Sequence, residues 1–311
     1  MKFLFGQQVH SHHLQGSVAT IGNFDGVHLG HQALLLALRE QAQQEQLPSV
    51  VILFEPQARE YLNPVQAPAR LTSLRAKLTM IQRMGVDQVM CLRFQRALAQ
   101  MSPEAFAEDY IFSRLNVKWL LVGGDFRFGL DRKGDISLLR EMATRHHCQV
   151  VTLPEYIFEG QRVSSTAIRN ALASRDLVLA ERFLGRPFSY SGRVLKGQGI
   201  GRQWGVPTAN IRMTHNNFPL SGIYCVQVER SNGARYQGVA SLGTRPTMGS
   251  GGQCILEVNL FNFDGNLYGE CLHVTFLHFL REEENFSSVD VLIQQIFLDI
   301  KQTKSYFNIT E

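Results

Sequence analysis

No CxxC pair occurs in this chain: its five cysteines, Cys91, Cys148, Cys225, Cys254 and Cys271, are odd in number and scattered. That excludes a zinc ribbon, argues against a disulfide framework and makes a reducing, cytoplasmic setting the expectation. Nowhere do about 18 apolar residues run together, the length a membrane-spanning helix needs. The opening MKFLFGQQVHSHH has one lysine and only three consecutive apolar residues, so neither a membrane span nor a secretory leader is expected. HExxH, GxxxxGK[ST] and GxGxxG are all missing, which removes the common metalloprotease, P-loop and dinucleotide signatures. Internal repeats and low-complexity tracts are missing too. The charge excess is small, at +4 with a pI near 8.8, and no basic stripe is interleaved with aromatics. No nucleic-acid partner is expected on that pattern, whereas anionic small molecules suit it. Nothing in the sequence defines an oligomeric state.

What is present is a chain of 311 residues, 44% apolar and 19% charged, longer than one comfortable core and soluble in composition. Its first half alternates. Strand-like SVATIG (17–22) and SVVILF (49–54) flank HQALLLALREQAQQEQ, which sets Leu34, Leu35, Leu38 and Ala42 on one helical face. VDQVMCLRF (86–94), a helix capped by Ser102 with Pro103 following, VKWLLVG (117–123), a helix near 135–146 and CQVVTL (148–153) continue the pattern. Parallel strands need such crossovers, so an α/β, doubly wound sheet is expected. Past residue 186 the runs GIYCVQVE (222–229), YQGVASLG (236–243), CILEVNLFNF (254–263) and LYGECLHVTFLHFL (267–280) are strands broken by Gly, Asn and Asp, the pattern of an antiparallel barrel. A last amphipathic helix over about 287–306 places Val291, Ile293, Ile296, Phe297 and Ile300 on an apolar flank. The boundary falls in LGRPFSYSG, giving domains of 1–185 and 186–311.

TIGNFDGVHLGH (20–31) lies where the first strand hands over to the first helix, the edge at which open α/β sheets hold ligands. A helix starting near Leu29 points unpaired N–H groups and a positive dipole end at that edge, a ready phosphate site. Gly22, Gly26 and Gly30 permit close backbone approach and unusual φ angles there. His28 and His31 can both face the phosphate, donating hydrogen bonds when neutral and adding charge when protonated. Two other readings stay open on these residues alone: Asp25, His28 and His31 as metal ligands, or two histidines that only cap a helix.

GNFDGVHLGH resembles the HxGH signature of the nucleotidyltransferase superfamily, in the GxFDGVHxGH form of bacterial bifunctional riboflavin kinase/FMN adenylyltransferases. The resemblance implies a Rossmann-like N-terminal nucleotidyltransferase domain with His28 and His31 as catalytic residues. Gly22, Asn23, Phe24, Asp25 and Gly30 would then hold ATP. RVSSTAIR (162–169) is similar to the family's second motif, in which Ser164, Ser165, Thr166 and Arg169 would hold the phosphates that leave as pyrophosphate. GGDFRFG (123–129) matches the family's GxDFxFG, implying flavin contacts at Asp125, Phe126 and Phe128, with RKGD (132–135) following. Where relatives read DPHP, this chain has EPQA (55–58).

The second half carries its own likeness. GQGIGRQWGVPTAN (197–210) is similar to the riboflavin kinase signature ending in PTAN. By that likeness Gly197, Gly199, Gly201 and Arg202 cover the ATP phosphates, while Thr208 and Asn210 offer oxygens to Mg²⁺. LGTRPT (242–247) and LEVNLFNFDGNLYG (256–269) also match, with Glu257 at the family's catalytic carboxylate, although Asn259 and Asn262 depart from the usual EVH and LFD. FLREEENF (279–286) resembles FLRxExxF, implying flavin contacts at Arg281 and Glu283. Together these motifs imply that the barrel makes FMN from riboflavin and ATP, and that the α/β domain joins FMN to a second ATP to give FAD. Adenylylation of another phosphate ester, a nucleic-acid enzyme and a flavin sensor without turnover are the competing classes.

Overall fold

A computed structural model describes residues 1–5, 15–197, 199–213, 217–245 and 253–309. Most of the N-terminal MKFLFGQQVHSHH stretch, Gln198 of the glycine-rich loop, and Pro246 and Thr247 of LGTRPT lie outside the described residues. The strands are β1 (Lys2–Phe5), β2 (Ser17–Ile21), β3 (Ser49–Glu55), β4 (Gln88–Arg93), β5 (Val117–Gly123), β6 (Gln149–Leu153), β7 (Ile157–Phe158), β8 (Gln161–Arg162), β9 (Ser189–Leu195), β10 (Ala209–Ile211), β11 (Gly222–Glu229), β12 (Arg235–Arg245), β13 (Gln253–Leu260) and β14 (Cys271–Arg281). The helices are α1 (Leu29–Glu45), α2 (Ala58–Leu62), α3 (Leu74–Arg83), α4 (Arg96–Ala99), α5 (Pro103–Phe106), α6 (Ile136–Arg145), α7 (Ser165–Ala173), α8 (Leu177–Leu184), α9 (Ile200–Gln203) and α10 (Val289–Tyr306). They divide into two compact units, Met1–Pro68 with Leu74–Ser164, and Ala69–Ser73 with Ser165–Glu311.

The first unit is a six-stranded parallel sheet in the order β1-β4-β3-β2-β5-β6. Its strands are apolar on both faces, because helices cover both. Ala19, Ile21, Val50 and Ile52 pack with Phe106, Ile111 and Leu139 on one side. Val18, Val51 and Leu53 pack with Leu35, Leu38 and Ile81 on the other. Strand order turns back between β2 and β5, so their C-terminal ends open a crevice between them. Gly22 and Asn23 leave one lip, and Gly123 to Asp125 the other.

In the second unit β10-β13-β12-β11-β14-β9 close into an antiparallel barrel. Alternation separates its two faces. Tyr224, Val226, Ala240, Leu242, Leu256, Val258, Val274 and Phe276 are fully buried and fill the interior. Ile223, Val239 and Phe261, of opposite parity, pack against Leu280 and Ile300 on the outside. The strand expected from residue 267 starts only at Cys271, after a turn. On α10 the buried flank contains Asp299 and Thr303, while Val291 and Phe297 are exposed. Polar residues on the packed flank had disguised it, since Asp299 is drawn inward by Arg281.

Candidate active sites

The HxGH corner is built by the end of β2 and the start of α1. His28 is the N-cap of α1, and its Nδ1 accepts from the His31 N–H at 3.3 Å. In the neutral ring the proton then sits on Nε2. The His28 and His31 rings stack at 3.6 Å and 16°. Phe24 lies 4.9 Å from His31. Gly30 leaves room for this, since a Cβ there would stand 3.3 Å from the His28 ring and from Tyr156. Of the three loop glycines only Gly26 takes a left-handed φ, of 83°. The other unusual angles fall on Phe24 (48°) and Val27 (41°), and a β-branched residue in that region is strained. Both side chains are buried in the core, so packing holds the loop where glycine freedom was expected to.

Burial pushes the His31 pKa well below the ordinary histidine value, and the charges of His28 and Lys77 push the same way. His31 is therefore neutral here, and its buried Nδ1 has no hydrogen-bond partner. Asp25 is buried in the same loop. Among the described residues no group of three or more His, Cys, Asp or Glu side chains is arranged to hold a metal ion.

On the facing lip, Asp125 is exposed and pairs with Arg162 at 2.7 Å; Arg162 also reaches Glu155 at 2.9 Å. Phe126 and Phe128 stack at 5.6 Å, and Phe128 continues to Phe106 at 5.9 Å and Phe54 beyond. In EPQA, Gln57 is buried and its backbone N–H donates to Glu60 at 2.9 Å, while its Nε2 has no hydrogen-bond partner. Arg162 and Gln57 were not singled out from sequence, although both sit inside quoted motifs. Ser164 ends the first unit; Ser165, Thr166 and Arg169 stand on the first two turns of α7 in the second. Arg169 Nε donates to the Ala69 carbonyl at 2.6 Å.

The barrel carries a cavity of about 700 Å³ on its outer face, a size that suits a small-molecule ligand. Glu257 on β13 is paired across strands with Asn210 on β10 and Ser241 on β12. All three line the cavity. Gly197, Gly199, Gly201, Arg202 and Thr208 form another part of its wall. A Cβ on Gly197 would meet the Asn210 amide at 2.5 Å, and one on Gly201 the Val206 carbonyl oxygen at 2.5 Å, so this loop folds against the PTAN segment only as glycine. Asn259, one of the departures, donates to the Pro207 carbonyl at 2.7 Å and fixes the same segment. Asn262, the other, takes φ of 54°, a conformation asparagine tolerates.

Arg281 and Glu283 line the cavity too. The Arg281 fork is occupied by Asp299, with both bonds at 2.8 Å, and Gln295 joins at 3.0 Å. Burial raises the Glu283 pKa, with Arg281 opposing. Trp204 and Tyr268, inside quoted motifs but not singled out there, and Asp299, outside any motif, line the cavity as well.

Residues 10–167 match the FAD synthetase family and residues 184–307 the riboflavin kinase family. The chain belongs to the bifunctional riboflavin kinase/FMN adenylyltransferases. Proteins of that description are 44% identical over 295 residues in Haemophilus influenzae (95% of this chain, 96% of the relative). In Pseudomonas fluorescens the identity is 45% over 291 residues (94% and 93%), and in Escherichia coli 43% over 297 (96% and 95%). A solved chain described as a macrolide-efflux protein from Streptococcus pneumoniae shares the fold, with a TM-score of 0.79, 29% identity and coverage of 98% and 99%. Among the described residues no helix is long and apolar enough to cross a membrane. This bifunctional enzyme phosphorylates riboflavin to FMN with ATP and adenylylates FMN to FAD, releasing pyrophosphate.

Proposed function

We propose that the two reactions use separate sites, divided near residues 185 and 186. In the barrel, Glu257 accepts the proton of the ribityl 5′-hydroxyl as that oxygen attacks the γ-phosphorus of ATP, and ADP leaves. The observation that carries this reading is the cross-strand row Asn210–Glu257–Ser241 lining one cavity beside the glycine-rich loop. Gly197, Gly199, Gly201 and Arg202 cover the phosphates, and Glu283 with the Arg281–Asp299 pair borders the flavin. Thr208 and Asn210 would hold Mg²⁺, which neutralises phosphate charge when bound. Their neutral hard oxygens suit an ion held mainly by substrate phosphates, and the space over Asn210 that a Cβ on Gly197 would fill is consistent with that.

In the α/β domain an FMN phosphate oxygen attacks the α-phosphorus of ATP, and pyrophosphate leaves. The flavin phosphate is already anionic and needs no base. His28 and His31 donate to the reacting phosphate, beside the α1 N–H groups and within the loop of Gly22, Asn23, Phe24, Asp25 and Gly30. Ser164, Ser165, Thr166 and Arg169 bind the departing phosphates; Asp125, Phe126 and Phe128 meet the flavin. ATP, riboflavin and FMN are the partners in this account, with no nucleic acid. The free thiols of all five cysteines support a cytoplasmic setting. The test is incubation with riboflavin, ATP and Mg²⁺ followed by chromatography. FMN should appear first and FAD after a lag. FAD without transient FMN, or adenylylation of other phosphate esters as readily as FMN, contradicts the scheme.

A further inference from the structure

Side chains alternate along a strand, so Val239, Ser241 and Gly243 of β12 share one face. Val239 and Ser241 line the cavity of the barrel. Ser241 stands opposite Glu257 on β13, and Gly243, the next position on that face, stands opposite Ile255. A glycine inside a strand weakens it, and often marks a place that another group approaches closely. The backbone does not require this one, because its φ lies outside the left-handed region. What occupies the place of its side chain is the carboxyl group of Glu283: a Cβ on Gly243 would collide with Oε1, Oε2 and Cδ of that residue, its three nearest atoms. At Gly238 on the same strand the obstacle is backbone, the Asn259 carbonyl, whereas at Gly243 it is the tip of a side chain.

Glu283 itself lines the cavity, and the residues before it fix where it leaves β14. Arg281 is held by Asp299 on α10 and donates from Nη1 to the Glu282 carbonyl at 2.8 Å. Glu282 takes Arg175 at 2.6 Å. Three successive residues are thus tied in three directions, the third by contact with the bare backbone of β12. The Arg281 fork is spent on Asp299, whereas a carboxylate can accept from the hydroxyl and N–H donors of riboflavin. We propose that Gly243 is a positioning residue for riboflavin: by carrying no side chain it seats the Glu283 carboxyl on β12, one outward position beyond the Ser241–Glu257 pair, where it accepts a hydrogen bond from the flavin substrate. The proposal rests on the assignment of Glu283 to the flavin above, and goes beyond it by naming what fixes its place.

The test uses the full chain with Gly243→Ala, Glu283→Ala and the two combined. Each single substitution should raise the KM for riboflavin in FMN formation about 10-fold or more, the loss of one hydrogen bond to a charged group. The KM for ATP and kcat should change much less, and adenylylation of supplied FMN should stay at its parental rate. The double variant should be no worse than Glu283→Ala alone, because the added methyl then has no carboxyl to displace. Gly243→Ala should melt no lower than the parent, since alanine suits a strand better than glycine. A parental riboflavin KM in Gly243→Ala beside a raised one in Glu283→Ala overturns the proposal. So does a loss in Gly243→Ala that persists in full on top of Glu283→Ala, or a failure of Gly243→Ala to fold, because each marks a purely structural glycine. A parental riboflavin KM in Glu283→Ala shows instead that the flavin assignment of Glu283 has failed, and the proposal falls with it.

Discussion

At His31, burial and two neighbouring positive groups act in the same direction, and the consequence is a pH dependence of known sign. The folded chain takes up its proton only well below the ordinary value of about 6.5, whereas the unfolded chain takes it up at that value. Below about pH 6.5 the unfolded state therefore holds the extra proton, and stability falls as pH falls, by up to about 1.4 kcal/mol per pH unit. Urea unfolding between pH 5 and 7 should show a shallower slope for His31→Gln than for the parent; equal slopes would refute the neutral ring. In catalysis, His31→Ala or His28→Ala should lower FAD formation about 10² to 10³-fold. Riboflavin phosphorylation should continue, so that FMN accumulates. Equal loss of both activities in folded protein would show that the assignment is wrong.

Among the elements, the loop from Gly197 to Asn210 carries the sharpest steric requirement. Gly201→Ala pushes a methyl against the Val206 carbonyl, backbone that cannot swing aside, and the displacement moves Thr208 away from the cavity. Riboflavin kinase should lose about 10-fold or more in kcat/KM, from about 1 to 3 kcal/mol of strain. Adenylylation of supplied FMN should be unaffected. A Gly201→Ala enzyme with parental kinase kinetics would remove the steric argument. This loop, the HxGH corner and GGDFRFG were legible because each joins fixed residue types to a turn at an element end. Other elements were not. α3 carries Lys77 on the face that a hydrophobic pattern reserves for apolar residues, and α10 hides its packed flank behind Asp299 and Thr303. β10 is only three residues long, too short for alternation to register, yet it brings Asn210 opposite Glu257.

For the whole molecule, the proposed separation of the two activities rests on a switch-point crevice in the sheet and an outer-face cavity on the barrel. The sequence showed both architectures through strand spacing, but it could not show which face of the barrel holds the cavity. That depends on β-register, which pairs Glu257 with Asn210 and Ser241. It also placed α7 and α8 with the first domain, whereas α8 packs on β14 and Arg175 reaches Glu282 at 2.6 Å and covers the Phe279 ring. A fragment of 186–311 should still fold and phosphorylate riboflavin, since it retains the closed barrel and α10. A fragment of 165–311 should melt higher and bind flavin more tightly, because it keeps the contacts on Glu282 next to the cavity. If the shorter fragment folds but binds no flavin, the 185/186 boundary fails.

The account stands or falls on whether each site runs its own reaction, and Glu257→Gln tests this most directly. The substitution preserves size and removes proton acceptance. With ATP and Mg²⁺, the variant given riboflavin should form FMN about 10² to 10⁴-fold more slowly than the parent. Given FMN, it should make FAD at the parental rate. Parental conversion of riboflavin to FMN by the folded variant, or equal loss of both conversions, would contradict it.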